Sequence, residues 1–340
     1  MQVFRGFHHP GIAAACALTI GNFDGVHRGH QAMLALLKSE ARHRGLPSCV
    51  LSFEPHPRQF FADRAGRPEQ APARIASLRD KLQELEACGI DQVVVLRFDA
   101  RLASLSPQAF IDEVLVQGLG ARYVLVGDDF RFGARRAGDY AMLDAAGDTQ
   151  GFDVARMRSY EIHGLRVSSS AVRDALAAGA MDQIRALLGR PYSLSGHVVH
   201  GRKLGRGLGE SAAGAADGFR TLNLRFAAPR SAASGIFVVT VHGLTPEPLP
   251  GVASLGVRPT IEDAGRILLE THVLDWPAEL GPEGGYGKII HVELLHRLRD
   301  EARYDGLDAL TAAIRQDAAQ ARAWFATHAA ERRQTTRDRI

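Results

Sequence analysis

The sequence predicts an α/β domain with a parallel sheet, followed by a small β-barrel and a C-terminal helix. Three observations point there. Short apolar, β-branched runs alternate with amphipathic stretches through the first half; a helix stop at Gly189 and Pro191 ends that rhythm; beyond it, Val/Leu/Ile-rich segments are cut at short intervals by Gly and Pro. The 340 residues, 46% hydrophobic and 23% charged, suit two domains with separate cores and exclude a disordered chain or a coiled coil.

Residues 17–20, 48–53, 92–96 and 123–126 are the expected strands of the sheet. Between them, 30–44 carries Met33, Leu34 and Leu37 at helical spacing, and 75–87 carries Leu78, Leu82 and Leu85. Hydroxyls at 168–170 open a helix over 171–188, closed by Gly189 with Pro191 beyond. In the second half, 194–199, 221–226, 236–241, 266–273 and 289–294 are the expected barrel strands. A last helix over 307–325 puts Leu307, Leu310, Ile314, Ala318 and Phe325 near one face, and the polar residues after it are expected to fray.

Forty-one Lys+Arg against 38 Asp+Glu give a net charge of +3 with no basic block, which makes no case for a nucleic-acid or membrane surface. Cys16, Cys49 and Cys88 are odd in number and never in C-x-x-C spacing, so neither a disulfide framework nor a cysteine zinc site fits and a cytoplasmic setting is expected. The longest apolar stretch, 12–20, falls far short of the ~18 residues of a membrane span.

The most informative block is Gly21-Asn22-Phe23-Asp24-Gly25-Val26-His27-Arg28-Gly29-His30, placed after the first strand and before the first helix. That is where α/β sheets bind ligands. Gly21, Gly25 and Gly29 would let backbone approach a phosphate, and the helix start adds free N–H groups and a positive dipole end. His27 and His30 lie three apart in the first turn, on one side, able to donate to charge building on an α-phosphate during nucleotidyl transfer. A second block, Val167-Ser168-Ser169-Ser170-Ala171-Val172-Arg173, caps another helix and places Arg173 one turn inside, in reach of the same anion. Phe53-Glu54-Pro55-His56-Pro57-Arg58 and Gly127-Asp128-Asp129-Phe130-Arg131-Phe132-Gly133 follow strands at the same sheet edge, with Phe130 and Phe132 able to meet a flat ligand. The P-loop and the dinucleotide fingerprint are both absent.

These four segments, in this order, resemble the signature segments of the FMN adenylyltransferase module of prokaryotic bifunctional riboflavin kinase/FAD synthetases. The resemblance implies a nucleotidyltransferase-type, Rossmann-like α/β domain over 1–186, a six-stranded riboflavin-kinase β-barrel with its C-terminal helix over 187–326, and a polar tail over 327–340. It implies that the FMN phosphate attacks the α-phosphate of ATP, giving FAD and pyrophosphate. His27 and His30 would stabilise the reacting phosphates; Gly21, Phe23, Asp24, Gly25, Gly29, Ser168, Ser169 and Arg173 would surround ATP; Pro55, Pro57, Asp129 and Phe132 would lie around the flavin. A different nucleotidyltransferase of the same group, acting on another mononucleotide, would share the H-x-x-H turn without the other segments and the barrel.

The second half continues the resemblance through Gly189-Arg190-Pro191-Tyr192, Gly256-Val257-Arg258-Pro259-Thr260, Leu269-Glu270-Thr271-His272 and Arg297-Leu298-Arg299-Asp300-Glu301. It implies ATP-dependent phosphorylation of riboflavin to FMN. Glu270 would be the general base, Thr221 and Asn223 would hold Mg²⁺, Gly205 and Arg206 would contact ATP, and Arg299 would lie by the flavin. The chain departs from the family at 210–218, an Ala/Gly-rich insertion ahead of the metal-binding strand, and at Arg220 and Leu222, where relatives carry Pro and Ala. The alternative this leaves open is an FAD synthetase whose barrel binds flavin without phosphorylating it.

Overall fold

A computed structural model of the chain describes residues 1–162, 164–200, 221–226, 230–257, 267–281 and 283–337. They divide into two compact units, Met1–Pro72 with Leu78–Ala171, and Ala73–Ser77 with Val172–Ile340. The first runs β1 (Gln2–Arg5), β2 (Cys16–Ile20), α1 (Arg28–His43), β3 (Ser48–Glu54), α2 (Pro57–Arg64), α3 (Leu78–Ala87), β4 (Gln92–Arg97), α4 (Ala100–Ser104), α5 (Pro107–Ala109), a π-helical stretch Phe110–Gly118, β5 (Ala121–Gly127), α6 (Tyr140–Gln150), β6 (Asp153–Met157) and the hairpin β7 (Glu161–Ile162), β8 (Leu165–Arg166).

Strands β1 to β6 form one parallel sheet in the order β1-β4-β3-β2-β5-β6. Alternate residues of the central strands feed two cores: Leu18, Leu51, Val94 and Val124 lie in one, Ala17, Val50, Val93 and Leu125 in the other. A strand buried on both faces carries a continuous apolar run, which is why these four were readable in the sequence. The strand order reverses between β2 and β5, so the loops after these two strands splay apart and leave a crevice at their carboxyl ends.

Two further helices, α7 (Ser169–Ala178) and α8 (Met181–Leu188), replace the single helix expected over 171–188. Gly179, at φ +69°, breaks them apart, and Gly189 in the left-handed region caps α8. Strands β9 (Tyr192–Val199), β10 (Thr221–Phe226), β11 (Gly235–His242), β12 (Leu249–Val257), β13 (Ile267–Val273) and β14 (Ile289–Arg299) close a barrel in the order β10-β13-β12-β11-β14-β9. Because α8 packs against β9 and β14, compactness groups it with the barrel, earlier than the division at 186/187 read from the motifs.

The last helix, α9 (Leu307–Arg337), lays Ala318, Ala321, Trp324 and Phe325 against Val238, Val252, Leu274 and Leu298. Leu307, expected on that face, is exposed. The helix continues past 325 where fraying was expected, through residues of good helix propensity such as Ala329, Ala330, Glu331, Arg332, Arg333 and Gln334. No helix of the described residues is long and apolar enough to cross a membrane.

Candidate active site

The turn between β2 and α1 is strained where the sequence placed its chemistry. Phe23 and the β-branched Val26 have φ of +48° and +38°, and Gly25 lies at +84°, a conformation that only glycine adopts freely. Such backbone persists when packing over-determines it, and here Phe23 and Val26 are both fully buried. His27 is the N-cap of α1: its Nδ1 accepts a hydrogen bond from the His30 backbone N–H at 3.2 Å, which in the neutral ring leaves the proton on Nε2. The His27 and His30 rings stack with centroids 3.6 Å apart and 12° between planes, and Phe23 packs 4.9 Å from His30 on a tilt. Burial, reinforced by neighbouring His27 and Lys81, holds the His30 imidazole well below its ordinary pKa of 6.5, so it is neutral. Its Nδ1 is buried with no hydrogen-bond partner among the described residues, as is Oδ1 of Asn22.

Two of the three glycines also have a packing role. A Cβ on Gly29 would sit 3.2 Å from His27 Nδ1 and 3.4 Å from the Val167 carbonyl; one on Gly21 would sit 3.0 Å from the Phe23 ring. Gly21 and Gly29 therefore make room for the motif's own rings. Asp24 is buried, and its carbonyl accepts from the Ser169 hydroxyl at 3.0 Å, tying the serine block to this turn. Ser168 caps α7 through the Ala171 N–H at 3.2 Å. Arg173 lies in the second unit, where its Nε donates to the Ala73 carbonyl at 2.7 Å.

The crevice holds a cavity of about 660 Å³ that Gly21, Phe23, His30, Pro57, Asp129 and Phe132 help to line. Its walls are aromatic: Phe98 meets Phe53 and Phe61 edge to face, each at 5.8 Å, while Phe130 and Phe132 stack at 5.5 Å. Arg58, Arg131, Arg135 and Arg136 also line it, with Asp129 the carboxylate among them, which makes the cavity electropositive. Arg135 and Arg136 both take the left-handed conformation, at φ +56° and +58°. Asp129 pairs with Arg166 at 3.5 Å, and hydrogen bonds from Ser159 hold the neighbouring Asp128 carboxyl below its usual pKa. Glu54–Pro55 is cis, and Pro55 lies just before His56, whose Nδ1 caps α2 through the Arg58 N–H at 3.1 Å.

Sequence reasoning passed over the aromatic wall at Phe61 and Phe98 and the buried Lys81. Phe98 belongs to no motif and reaches the cavity only through the fold. Lys81 did leave a signal: it shares the α3 face with Leu78, Leu82 and Leu85.

In the second unit, strand register gathers three of the predicted residues into one row, with Thr221 two positions away opposite His272. Asn223 on β10 pairs with Glu270 on β13, Glu270 with Ser254 on β12, Ser254 with Ile236 on β11, and Ile236 with Arg299 on β14. Directly opposed residues share a face, so Asn223, Glu270, Ser254 and Arg299 lie on the same side of the barrel wall. Asn223 is buried, with Nδ2 donating to the Thr221 carbonyl at 3.4 Å. Ser254 donates to Glu301 at 3.1 Å. Arg299 is held in a fork by Asp317 of α9, at 2.8 and 2.5 Å, with the Tyr304 ring 5.9 Å from the guanidinium. Gly205, Arg206, Arg220 and the 210–218 insertion lie outside the described residues.

A switch-point crevice with paired histidines and a closed six-stranded barrel with a polar row define a two-unit nucleotide-handling protein. Residues 10–171 match the family model of FAD synthetase and residues 188–325 that of riboflavin kinase. The bifunctional riboflavin kinase/FMN adenylyltransferase of Escherichia coli strain K12 is 44% identical over 327 residues, 96% of this chain and 98% of its own. That of Pseudomonas fluorescens is 44% identical over 334 residues, 97% and 99% respectively. A crystal structure described as a macrolide-efflux protein from Streptococcus pneumoniae superposes with a TM-score of 0.73 at 25% identity, over 95% of this chain and 100% of that one. The chain belongs to the bifunctional riboflavin kinase/FMN adenylyltransferase family.

Proposed function

We infer that the chain makes FMN from riboflavin and ATP in its barrel unit, and FAD from FMN and ATP in its α/β unit. The observation that carries the second activity is the stacked His27–His30 pair at the start of α1, beside an aromatic, electropositive cavity sized for a flat anionic ligand. In our reading the flavin ring lies between the Phe98 and Phe132 walls. A phosphate oxygen of FMN attacks the α-phosphorus of ATP as the bond to the β-phosphate oxygen breaks, and pyrophosphate leaves. Nε2–H of His27 and neutral His30 donate to the charge growing on the α-phosphate, with the helix start adding its dipole. Ser168 and Ser169 serve the outer phosphates.

In the barrel, Glu270 takes the proton of the ribityl hydroxyl as its oxygen bonds to the γ-phosphorus of a second ATP and ADP leaves. Thr221 and Asn223 supply neutral oxygen donors, the type a hard cation accepts when phosphates bring the charge, so they would hold Mg²⁺. When bound, that ion neutralises ATP phosphate charge. Arg299 lies by the flavin, and the divisions at 186/187 and 326/327 are our proposal for where the activities part.

The test is a product assay with riboflavin and FMN supplied separately, each with ATP and Mg²⁺. Riboflavin should yield FMN and then FAD; His30→Asn should stop only the second step and Glu270→Ala only the first. FAD from FMN with no FMN from riboflavin overturns the kinase half and leaves a flavin-binding barrel beside an FAD synthetase.

A further inference from the structure

Lys81 is fully buried, and no other lysine among the described residues is. A lysine on an apolar helix face ordinarily extends its ammonium to water. Here Nζ instead donates to Ser52 Oγ at 3.3 Å, and Ser52, itself fully buried on β3, donates to the Asn22 carbonyl at 3.4 Å. Asn22 follows Gly21 in the phosphate turn and lines the cavity. Two hydrogen bonds thus run from the ammonium, through Ser52 of β3, to the backbone of the turn that presents His27 and His30. The positive charge is also felt at His30.

We propose that Lys81 is a positioning residue for adenylyl transfer, fixing the phosphate turn through Ser52 and Asn22 and adding positive potential beneath His30, where α-phosphate charge develops. It rests on the assignment of His27 and His30 to that phosphate. A surface lysine would be screened and mobile; one locked in the core keeps both its place and its field. Among the described residues, His27 stacks on His30, and the titratable or charged groups lining the same cavity are His56 and Arg58 after β3, and Asp129, Arg131, Arg135 and Arg136 after β5. Against that set, removing the ammonium lets His30 take a proton at higher pH, so the acidic limb of FAD formation moves upward.

The full chain carrying Lys81→Met, Lys81→Arg or Ser52→Ala is assayed for FAD from FMN and, in the same preparation, for FMN from riboflavin. Lys81→Met should lower kcat for FAD at least tenfold and displace the acidic limb to higher pH. Lys81→Arg should recover part of both. Ser52→Ala should lower kcat several-fold with the limb in place. Riboflavin phosphorylation should stay within twofold throughout. Unchanged FAD formation in Lys81→Met overturns the proposal, as does a loss with an unmoved limb and no recovery in Lys81→Arg, which marks packing alone. Should Lys81→Met lose both activities through misfolding, Ser52→Ala decides, and normal FAD formation there overturns it. Wild-type FAD formation in His30→Asn is a separate result, one that removes the histidine assignment.

Discussion

Replacing Asp317 by Asn tests how the last helix serves the barrel. The carboxylate is 6% exposed and the Arg299 side chain 30%, and the two share a two-point fork. Exposed pairs contribute about 0.2–1 kcal/mol, whereas breaking a buried pair costs about 3–5 kcal/mol, so a pair with one partner buried and the other partly wet falls near 2 kcal/mol. The amide keeps the shape and one acceptor but leaves the guanidinium without its countercharge. For a domain of roughly 150–250 residues, about 2 kcal/mol lowers the unfolding midpoint by about 4–8 °C. The assays are thermal unfolding of the full chain and riboflavin saturation kinetics. Because Arg299 shares the row with Glu270, the KM for riboflavin should rise about tenfold, the direction expected when a positioned cation is freed, while FAD formation from FMN stays as it was. A midpoint within about 1 °C of the unmodified protein, with KM unchanged, refutes the fork as a structural and flavin-side element.

Gly29→Ala should separate stability from activity: alanine is the better helix former by up to about 1 kcal/mol, yet its Cβ presses on the His27 ring at 3.2 Å. Since about 1 Å of misplacement costs on the order of a hundredfold, a shift of a few tenths should lower FAD formation by about three- to tenfold with the melting point unchanged or raised. Acid should weaken the fold through His30. Its folded pKa lies below the ordinary 6.5, so the unfolded chain binds the proton first, and stability is lost as pH falls from 6.5 toward the folded value. Denaturant midpoints between pH 7 and 5 measure this, and His30→Gln should flatten that part of the curve.

The four central strands were legible because burial on both faces writes an unbroken apolar run. The edge strands were not: in β1 only Phe4 is buried and in β6 no residue is, so neither carries such a run. Helix α2 lay hidden in the proline-rich segment because its N-cap is a histidine, outside the usual Ser/Thr/Asp/Asn set, although Pro57 at its first turn is favourable. The histidine pair was legible from local spacing alone. The cavity was not, since Phe61, Phe98 and Phe132 are distant in sequence and come to line one cavity only through the fold.

The row from Asn223 to Arg299 also constrains how this barrel can change over generations. Side chains alternate between faces with a period of two, so gaining or losing one residue inside β13 would carry Glu270 through the wall and leave Thr271 or Leu269 in its place. Extra length placed between strands shifts no partner in the ladder. In the sequence, the nine residues from Glu210 to Gly218 come after the last residue of β9 and before the first of β10. The strands are a fixed gauge, and length added between them leaves that gauge intact.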